Sequence, residues 1–251
     1  MNLLNPNIVS EYKSNSQKAR VMTEFWTGEN IFCPSCGSAI CHYNNNKPVA
    51  DFYCDSCNED YELKSGKSLG TKIADGAYDT MISRLQDYNN PNFFFLNYKI
   101  NHQITNFVVI PKHYFTPEII EKRKPLLETA KRAGWVGCNV LLSGIPESGK
   151  IFYIKNGENR DKNDVLNDWN KTLFLREKKL ESKGWILDIM KCIEMLKKKE
   201  FTLQEVYNFE PILKQKYPNN NFIKDKIRQQ LQFLRDKEYL EFVSNGKYRV
   251  L

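Results

Sequence analysis

No stretch of the sequence stays apolar for the ~20 residues that a membrane-spanning helix needs. The strongest run, Phe93-Phe94-Phe95-Leu96, has only the length of a strand. The start of the chain, Met-Asn-Leu-Leu-Asn-Pro, lacks a basic segment leading into an apolar one, so no signal peptide is expected and the cytoplasm is the expected compartment. No internal repeat is visible, which argues against a solenoid. In a reducing compartment, seven cysteines point to thiolate metal binding rather than disulfides.

What is present describes a soluble globular protein. The 251 residues are 41% hydrophobic and 27% charged, enough for one large domain or two ordinary ones. The formal charge of +7 suggests a polyanionic partner, and its distribution says more. From Ser182 onward there are 14 Lys/Arg against 9 Asp/Glu, whereas residues 1–181 hold 23 against 21.

The most specific pattern is Cys33-Pro-Ser-Cys36-Gly37 followed, after 17 intervening residues from Cys36, by Cys54-x-x-Cys57. That spacing fits four thiolates around a tetrahedral Zn²⁺, with Gly37 permitting the tight turn of the first knuckle. The competing reading is four reduced thiols in a small core. Cys41 and His42 could replace one ligand, but two paired knuckles already close a four-coordinate site.

The second knuckle sits in a hairpin. Val49–Cys54 and Cys57–Lys64 both read as strands, and a turn centred between Ser56 and Cys57 makes paired residue numbers sum to 113. Asp51 then faces Glu62, and Lys64 joins them by the two-residue period of a strand. Two carboxylates can bind Mg²⁺ and a lysine can orient or deprotonate an attacking water, which suits metal-assisted phosphodiester hydrolysis. An exposed cross-strand ion pair would carry the same residues. The metal-clipped hairpin, and the nucleic-acid module downstream, favour the catalytic reading.

Around the hairpin, helices are expected over 8–27 (two, interrupted at Ser14-Asn15-Ser16), Ile73–Tyr88, from Thr116-Pro117-Glu118, and over Asp164–Leu175. Strands are expected at Phe93–Tyr98, Asn106–Ile110 and Ile151–Ile154. The order predicts a mixed α/β domain with helices on both sheet faces. Asn44–Asn46 and Asn219–Asn221 read as loops. Between the elements, Lys131-Arg132-Ala133-Gly134-Trp135-Val136 surrounds one large aromatic with small and basic residues. Trp135 is either core or an apolar wall facing a base or methyl group, with Lys131 and Arg132 on phosphates.

After a charged linker, Glu177–Lys183, the composition changes. Trp185–Lys199 has a helical apolar stripe, and Thr202-Leu-Gln-Glu205 is a capping box. A third helix follows Asn221-Phe222, with Ile223, Ile227, Leu231 and Leu234 inward and Lys224, Asp225, Arg228, Gln229 and Gln232 outward. Tyr239–Leu251 reads as a hairpin with an Asn245-Gly246 type I′ turn. Three helices and a terminal hairpin make a winged helix-turn-helix, whose third helix would enter the major groove; a winged domain used for protein contacts is the alternative.

The stretches EYKSNSQKAR (11–20), PVADFYC (48–54), ELKS (62–65), DGAY (75–78), NNPNFFFL (89–96), RAGW (132–135) and KIRQQLQ (226–232) together resemble the DpnI type of methyl-directed type II (IIM) restriction endonuclease, across nearly the full chain. The resemblance implies a PD-(D/E)xK endonuclease domain with a mixed central sheet and a structural zinc site over residues 1–181, and a winged-helix DNA-binding domain over 182–251. It implies Mg²⁺-dependent cleavage of double-stranded DNA at G-A-T-C carrying N6-methyladenine, by a monomer acting in restriction-modification and phage defence. Carried over by position, Asp51, Glu62 and Lys64 are catalytic. The resemblance also gives Leu63 a magnesium-facing carbonyl, Cys33, Cys36, Cys54 and Cys57 the zinc, and Trp135 a methyl contact. Ala50 rather than proline precedes Asp51, a departure from the general motif. The competing function is a zinc-ribbon and winged-helix DNA-binding regulator without catalysis, and a third is a structure-specific repair nuclease on the same fold.

Overall fold

The computed structural model describes residues 2–43, 50–87 and 89–251; Pro48, Val49, Tyr88 and the Asn44–Asn46 run lie outside them. The chain forms two compact units, Met1–Gly144 with Ser148–Leu173, and Ile145–Glu147 with Phe174–Leu251. No helix among the described residues is long and apolar enough to cross a membrane.

The first unit begins with a single 3-10 turn, Pro6–Val9, and then α1 (Asn15–Asn30). The expected first helix is therefore absent: the run before Ser14 is too short to repay helix nucleation. Ser14 occupies the cap position of α1, yet its hydroxyl bonds that of Ser16 (2.8 Å) rather than a backbone amide. There follow β1 (Cys41–His42), β2 (Phe52–Tyr53), β3 (Asp60–Gly66), β4 (Lys72–Ala77), α2 (Tyr78–Gln86), β5 (Asn92–Tyr98) and β6 (Ile104–Ile110). The unit ends with β7 (Ile120–Lys122), β8 (Gly137–Leu141), β9 (Ile151–Lys155), β10 (Glu158–Asn159) and α3 (Lys162–Asn170).

Seven strands form one sheet in the order β1-β2-β3-β5-β6-β9-β10, mixed because β3 runs parallel to β5 while the other pairs are antiparallel. The continuous apolar run of β5 fits its central place, where both sheet faces are covered. Phe94 and Leu96 point to the face shared with Phe107 and Val109, and there they meet Met22 and Trp26 of α1 and Val165 and Trp169 of α3. Both of these helices thus lie on one face, while α2 (Tyr78–Gln86) buries Met81 and Leu85 outside that core and brings Arg84 into the field of Glu62 and Asp75. On the other face Phe93 stacks on Phe115 at 4.8 Å.

A second sheet, β4-β8-β7, accounts for two further departures from the expected helices. Residues 72–77 are a strand, and the helix predicted from Ile73 starts only at Tyr78. Asp75-Gly76 is poor helix sequence, while pairing of Ile73 with Val140 answers the backbone of β4 from a distant segment. Thr116-Pro117-Glu118 opens one 3-10 turn only, Pro117–Ile119, because the β-branched pair Ile119-Ile120 is buried and leads straight into β7. α3 begins at Lys162, capped by Asp161 accepting from the Asn163 amide (2.7 Å), and stops at Asn170.

The second unit contains α4 (Leu180–Met195), β11 (Glu200–Thr202), α5 (Leu203–Tyr207), α6 (Glu210–Lys216), α7 (Ile223–Asp236), β12 (Leu240–Ser244) and β13 (Lys247–Val250). The charged linker is shorter than expected, since α4 starts at Leu180 and buries Lys183. The capping box forms, with Thr202 and Glu205 each bonding the other's amide, a motif that contributes about 1 kcal/mol. α6, with Pro211 in its first turn, was not foreseen. β11 pairs with β13, making a three-stranded wing in the order β11-β13-β12. The turn is not type I′, because Gly246 has a positive φ (70°) and Asn245 does not; a bulge between Phe242 and Ser244 adds the local twist. Helix, strand, helices and hairpin in this order are a winged helix-turn-helix.

Candidate functional site

The two cysteine knuckles are built alike. Gly37 N–H donates to Cys33 O (2.8 Å) and Cys33 N–H to Ser38 O (2.8 Å); the equivalent bonds of the second knuckle run from Asn58 N–H to Cys54 O (2.8 Å) and from Cys54 N–H to Glu59 O (2.9 Å). Both turns need a left-handed residue after the second cysteine. Gly37 (φ 79°) supplies it in one and Asn58 (φ 58°) in the other, asparagine being the side chain that tolerates this region best. Cys33, Cys36, Cys54 and Cys57 therefore converge, their sulfurs all within 4.8 Å of one another. Cys41 and His42 stay outside: the Cys41 thiol is turned to Asp55, and the His42 ring packs on Phe52. A soft, four-sulfur donor set of this size fits a tetrahedral metal ion such as zinc, with no fifth position for water.

The cluster is wired into the core. Tyr61 O–H donates to the Cys33 sulfur (3.0 Å) while its ring stacks on Phe94 at 4.5 Å. Lys162 of α3 donates to Gly37 O (2.7 Å), and Tyr153 O–H to Phe32 O (2.7 Å). On the second knuckle, buried Glu59 accepts from Asn92 (2.8 Å) and pairs with Lys112 (3.3 Å).

The hairpin has the expected register. Phe52 pairs with Tyr61 and Tyr53 with Asp60, each pair summing to 113. The regular ladder stops there. Asp51 N–H donates to Tyr61 O (2.9 Å), and the Asp51 carboxylate reaches across to accept the Leu63 amide (2.7 Å). Within β3 the alternation sends Tyr61 and Leu63 into the core, so Glu62 and Lys64 share the opposite face. The Lys64 ammonium donates to Glu62 (2.5 Å), as that shared face requires. Arg20 of α1 stands 4.0 Å from the other oxygen of Asp51.

A fourth member was not expected. Asp75, from β4 of the smaller sheet, accepts from the same ammonium at 2.6 Å, and its side chain is only 7% exposed. Burial pushes the Glu62 carboxyl up, and neighbouring Asp75 and Asp51 add to that against the pull of Lys64. Burial works against the Lys64 charge, but Glu62 and Asp75 outweigh it and hold its pKa above the ordinary lysine value. Arg84 of α2 lies in the field of Glu62, Asp75 and Asp60, with burial drawing its pKa below the usual arginine range.

The aromatic segment lies on the run into β8. Trp135 is half-buried, with the Arg132 guanidinium 4.6 Å above its ring and Lys131 exposed. A Cβ on Gly137 would stand 2.7 Å from the indole, so only glycine lets the ring lie where it does. Val136 O accepts from Tyr78 N–H (3.1 Å), tying the segment to the start of α2. β8 pairs directly with β4, placing Cys138 opposite Asp75.

In the second unit α7 buries Ile223, Ile227, Leu231 and Leu234 and leaves Lys224, Arg228, Gln229 and Gln232 exposed, as its periodicity requires. Lys224 and Arg228 both lie over the Tyr207 ring at 5.6 Å, and Lys224 also pairs with Glu210 (3.4 Å). Gln229 accepts from Gln230, and Phe222, at the head of the helix, is 71% exposed. Residues 1–178 match the family model described as DpnI, Dam-replacing family, and residues 181–250 match the Dam-replacing HTH domain. The chain belongs to the DpnI (Dam-replacing) family.

Proposed function

We propose that this chain is a type II restriction endonuclease that hydrolyses double-stranded DNA at G-A-T-C sites carrying N6-methyladenine, acting as a monomer in the cytoplasm. Family membership implies a methyl-dependent restriction endonuclease, and the HTH domain implies DNA binding. The observation that carries the chemistry is the gathering of Asp51, Glu62 and Lys64 around one hairpin. A DNA-binding regulator would have no need to gather two carboxylates and a lysine, each half-buried, beside one strand of its sheet.

Asp51, Glu62 and the Leu63 carbonyl are the groups that would hold Mg²⁺. They are hard oxygen donors, and Glu62 in particular has its charge disfavoured by burial and by neighbouring carboxylates, so a divalent cation suits it. Bound there, the ion would supply charge neutralisation at the scissile phosphate and a more acidic water. Lys64, its ammonium already donating to Glu62 and Asp75, acts as a cation that orients the attacking water and faces the charge building on the phosphoryl oxygens. The Cys33, Cys36, Cys54 and Cys57 cluster is a structural zinc site. We assign 1–181 to catalysis and 182–251 to a winged-helix reader, with Lys224, Arg228, Gln229 and Gln232 facing bases and phosphates.

An N6-methyl adds one apolar carbon in the major groove, worth about 0.8 kcal/mol when fully buried and so only a few-fold in affinity. Sharp discrimination therefore needs two methyls and two readers. In the catalytic unit the half-buried face of Trp135, with Val136 beside it, is the apolar wall, and Lys131 and Arg132 stand ready for the backbone. Trp135→Ala should reduce the ratio of cleavage rates on methylated over unmethylated sites by about three- to tenfold, with metal content unchanged. An unaltered ratio would remove Trp135 from recognition.

The whole reading is tested by digesting methylated and unmethylated copies of one plasmid with Mg²⁺. Discrete fragments ending at G-A-T-C, from the methylated copy only, are expected. Absence of metal-dependent cleavage on either copy would favour the regulator, and cuts at no fixed sequence would favour a structure-specific nuclease.

A further inference from the structure

We infer that Asp75 is a positioning residue for the proposed cleavage, acting through Lys64; the inference rests on the reading of the Asp51–Glu62–Lys64 cluster given above. Lysine carries three ammonium protons on a flexible four-carbon stem, so a lysine needed at one point must be fixed by its partners. Here two of the protons are taken, one by Glu62 and one by Asp75 at 2.6 Å. The ammonium is drawn from two sides, and one proton remains for a water or a phosphoryl oxygen. Without Asp75 it would be drawn onto Glu62 alone, the carboxylate that the proposed metal also requires.

The local backbone is shaped around this contact. Asp75 pairs with Cys138 and Ala77 with Gly137, leaving Gly76 as the extra residue of a bulge. Bulges turn neighbouring side chains away from the regular strand direction and are common next to active sites. Asp75 also accepts from the Gly76 amide (2.7 Å), so the bulge itself helps to fix the carboxylate. The contact joins two sheets, β3 belonging to the larger and β4 to the smaller. A carboxylate this dry and this close to one ammonium makes a strong, directional bond, whereas an exposed pair would add little. Neutralising a buried lysine for stability alone would produce the same contact, so the test must separate holding Lys64 from holding the fold.

The experiment uses the full chain with Asp75→Asn, Asp75→Glu, Lys64→Gln and the Asp75→Asn/Lys64→Gln double variant. In the protein without added Mg²⁺, its cysteine-bound metal retained, the Lys64 ammonium should give a slowly exchanging ¹H–¹⁵N signal, identified by its loss in Lys64→Gln. That signal should vanish in Asp75→Asn and survive in Asp75→Glu. Single-turnover cleavage of a methylated duplex should fall about 10²-fold in Asp75→Asn, with most of the rate returning in Asp75→Glu and duplex affinity unchanged. Against the Lys64→Gln background, Asp75→Asn should slow the reaction by no more than about threefold, the non-additivity of two residues acting as one. Full multiplication of the two effects, or an ammonium signal undisturbed in Asp75→Asn, would overturn the inference. Should the wild-type chain cleave no DNA, the proposed function fails, and the ammonium signal by itself decides whether Asp75 holds Lys64.

Discussion

Asp51→Ala is expected to lower Mg²⁺-dependent cleavage of methylated G-A-T-C by about 10³-fold or more, the several kcal/mol that a metal-held transition state loses with its ligand. The substitution removes two things. It deletes an oxygen donor for the ion, and it deprives the Leu63 amide of the carboxylate that now accepts from it at 2.7 Å. The second loss bears on Glu62 and Lys64, which flank that amide. The core should survive, because Asp51 lies outside the regular ladder and the Phe52–Tyr61 pair next to it is untouched. Duplex binding without added metal is expected to persist within a few-fold, since removing one anion beside a polyanion does not weaken association. Cleavage within tenfold of wild type would remove Asp51 from the catalytic set and return the cluster to an ordinary ion-pair network.

What the sequence revealed most readily was short-range and chemically strict. Two Cys-x-x-Cys knuckles converge as their spacing requires. The hairpin register follows from a turn centre, which is a local property. α7 shows its buried stripe because one apolar face against solvent leaves a clear period. The misreadings cluster where distant pairing decides. Ile73, Ala77, Met81 and Leu85 recur every four residues, a faithful helical signal over α2, yet Lys72–Ala77 is claimed by β8 instead. For that reason Asp75 escaped notice: placed on a helix, it had no route to Lys64. The only local hint was Asp75-Gly76 itself, which suits a bulge better than a helix. Ile119-Ile120 repeats the lesson, since the proline before them starts one turn and burial against β8 draws the chain into a strand.

Removal of metal from the cysteine cluster is expected to unfold the first unit while leaving the winged helix standing. Burial pushes the Cys33 thiol far above its ordinary range, so in the absence of a cation that sulfur stays protonated, and only a tightly bound ion makes it a thiolate ligand. The closest sulfurs, Cys33 with Cys57 at 3.4 Å and Cys36 with Cys54 at 3.5 Å, join one knuckle to the other. With the ion gone, nothing comparable clips them together. Structural zinc in peptide-sized sites contributes about 10–16 kcal/mol at neutral pH, as much as the whole stability of an ordinary domain. The damage should reach β3, because Tyr61 bonds Cys33 at one end and stacks on Phe94 at the other, directly beside Glu62. Cys57→Ser should therefore lower the yield of folded protein severely, and metal analysis of what folds should find well under one equivalent. Calorimetry should show the transition of the first unit shifted down or lost and that of Phe174–Leu251 unchanged, since all four cysteines lie in the first unit. Wild-type protein that binds less than about half an equivalent of metal yet melts with both transitions intact would show that the thiols pack as a plain core.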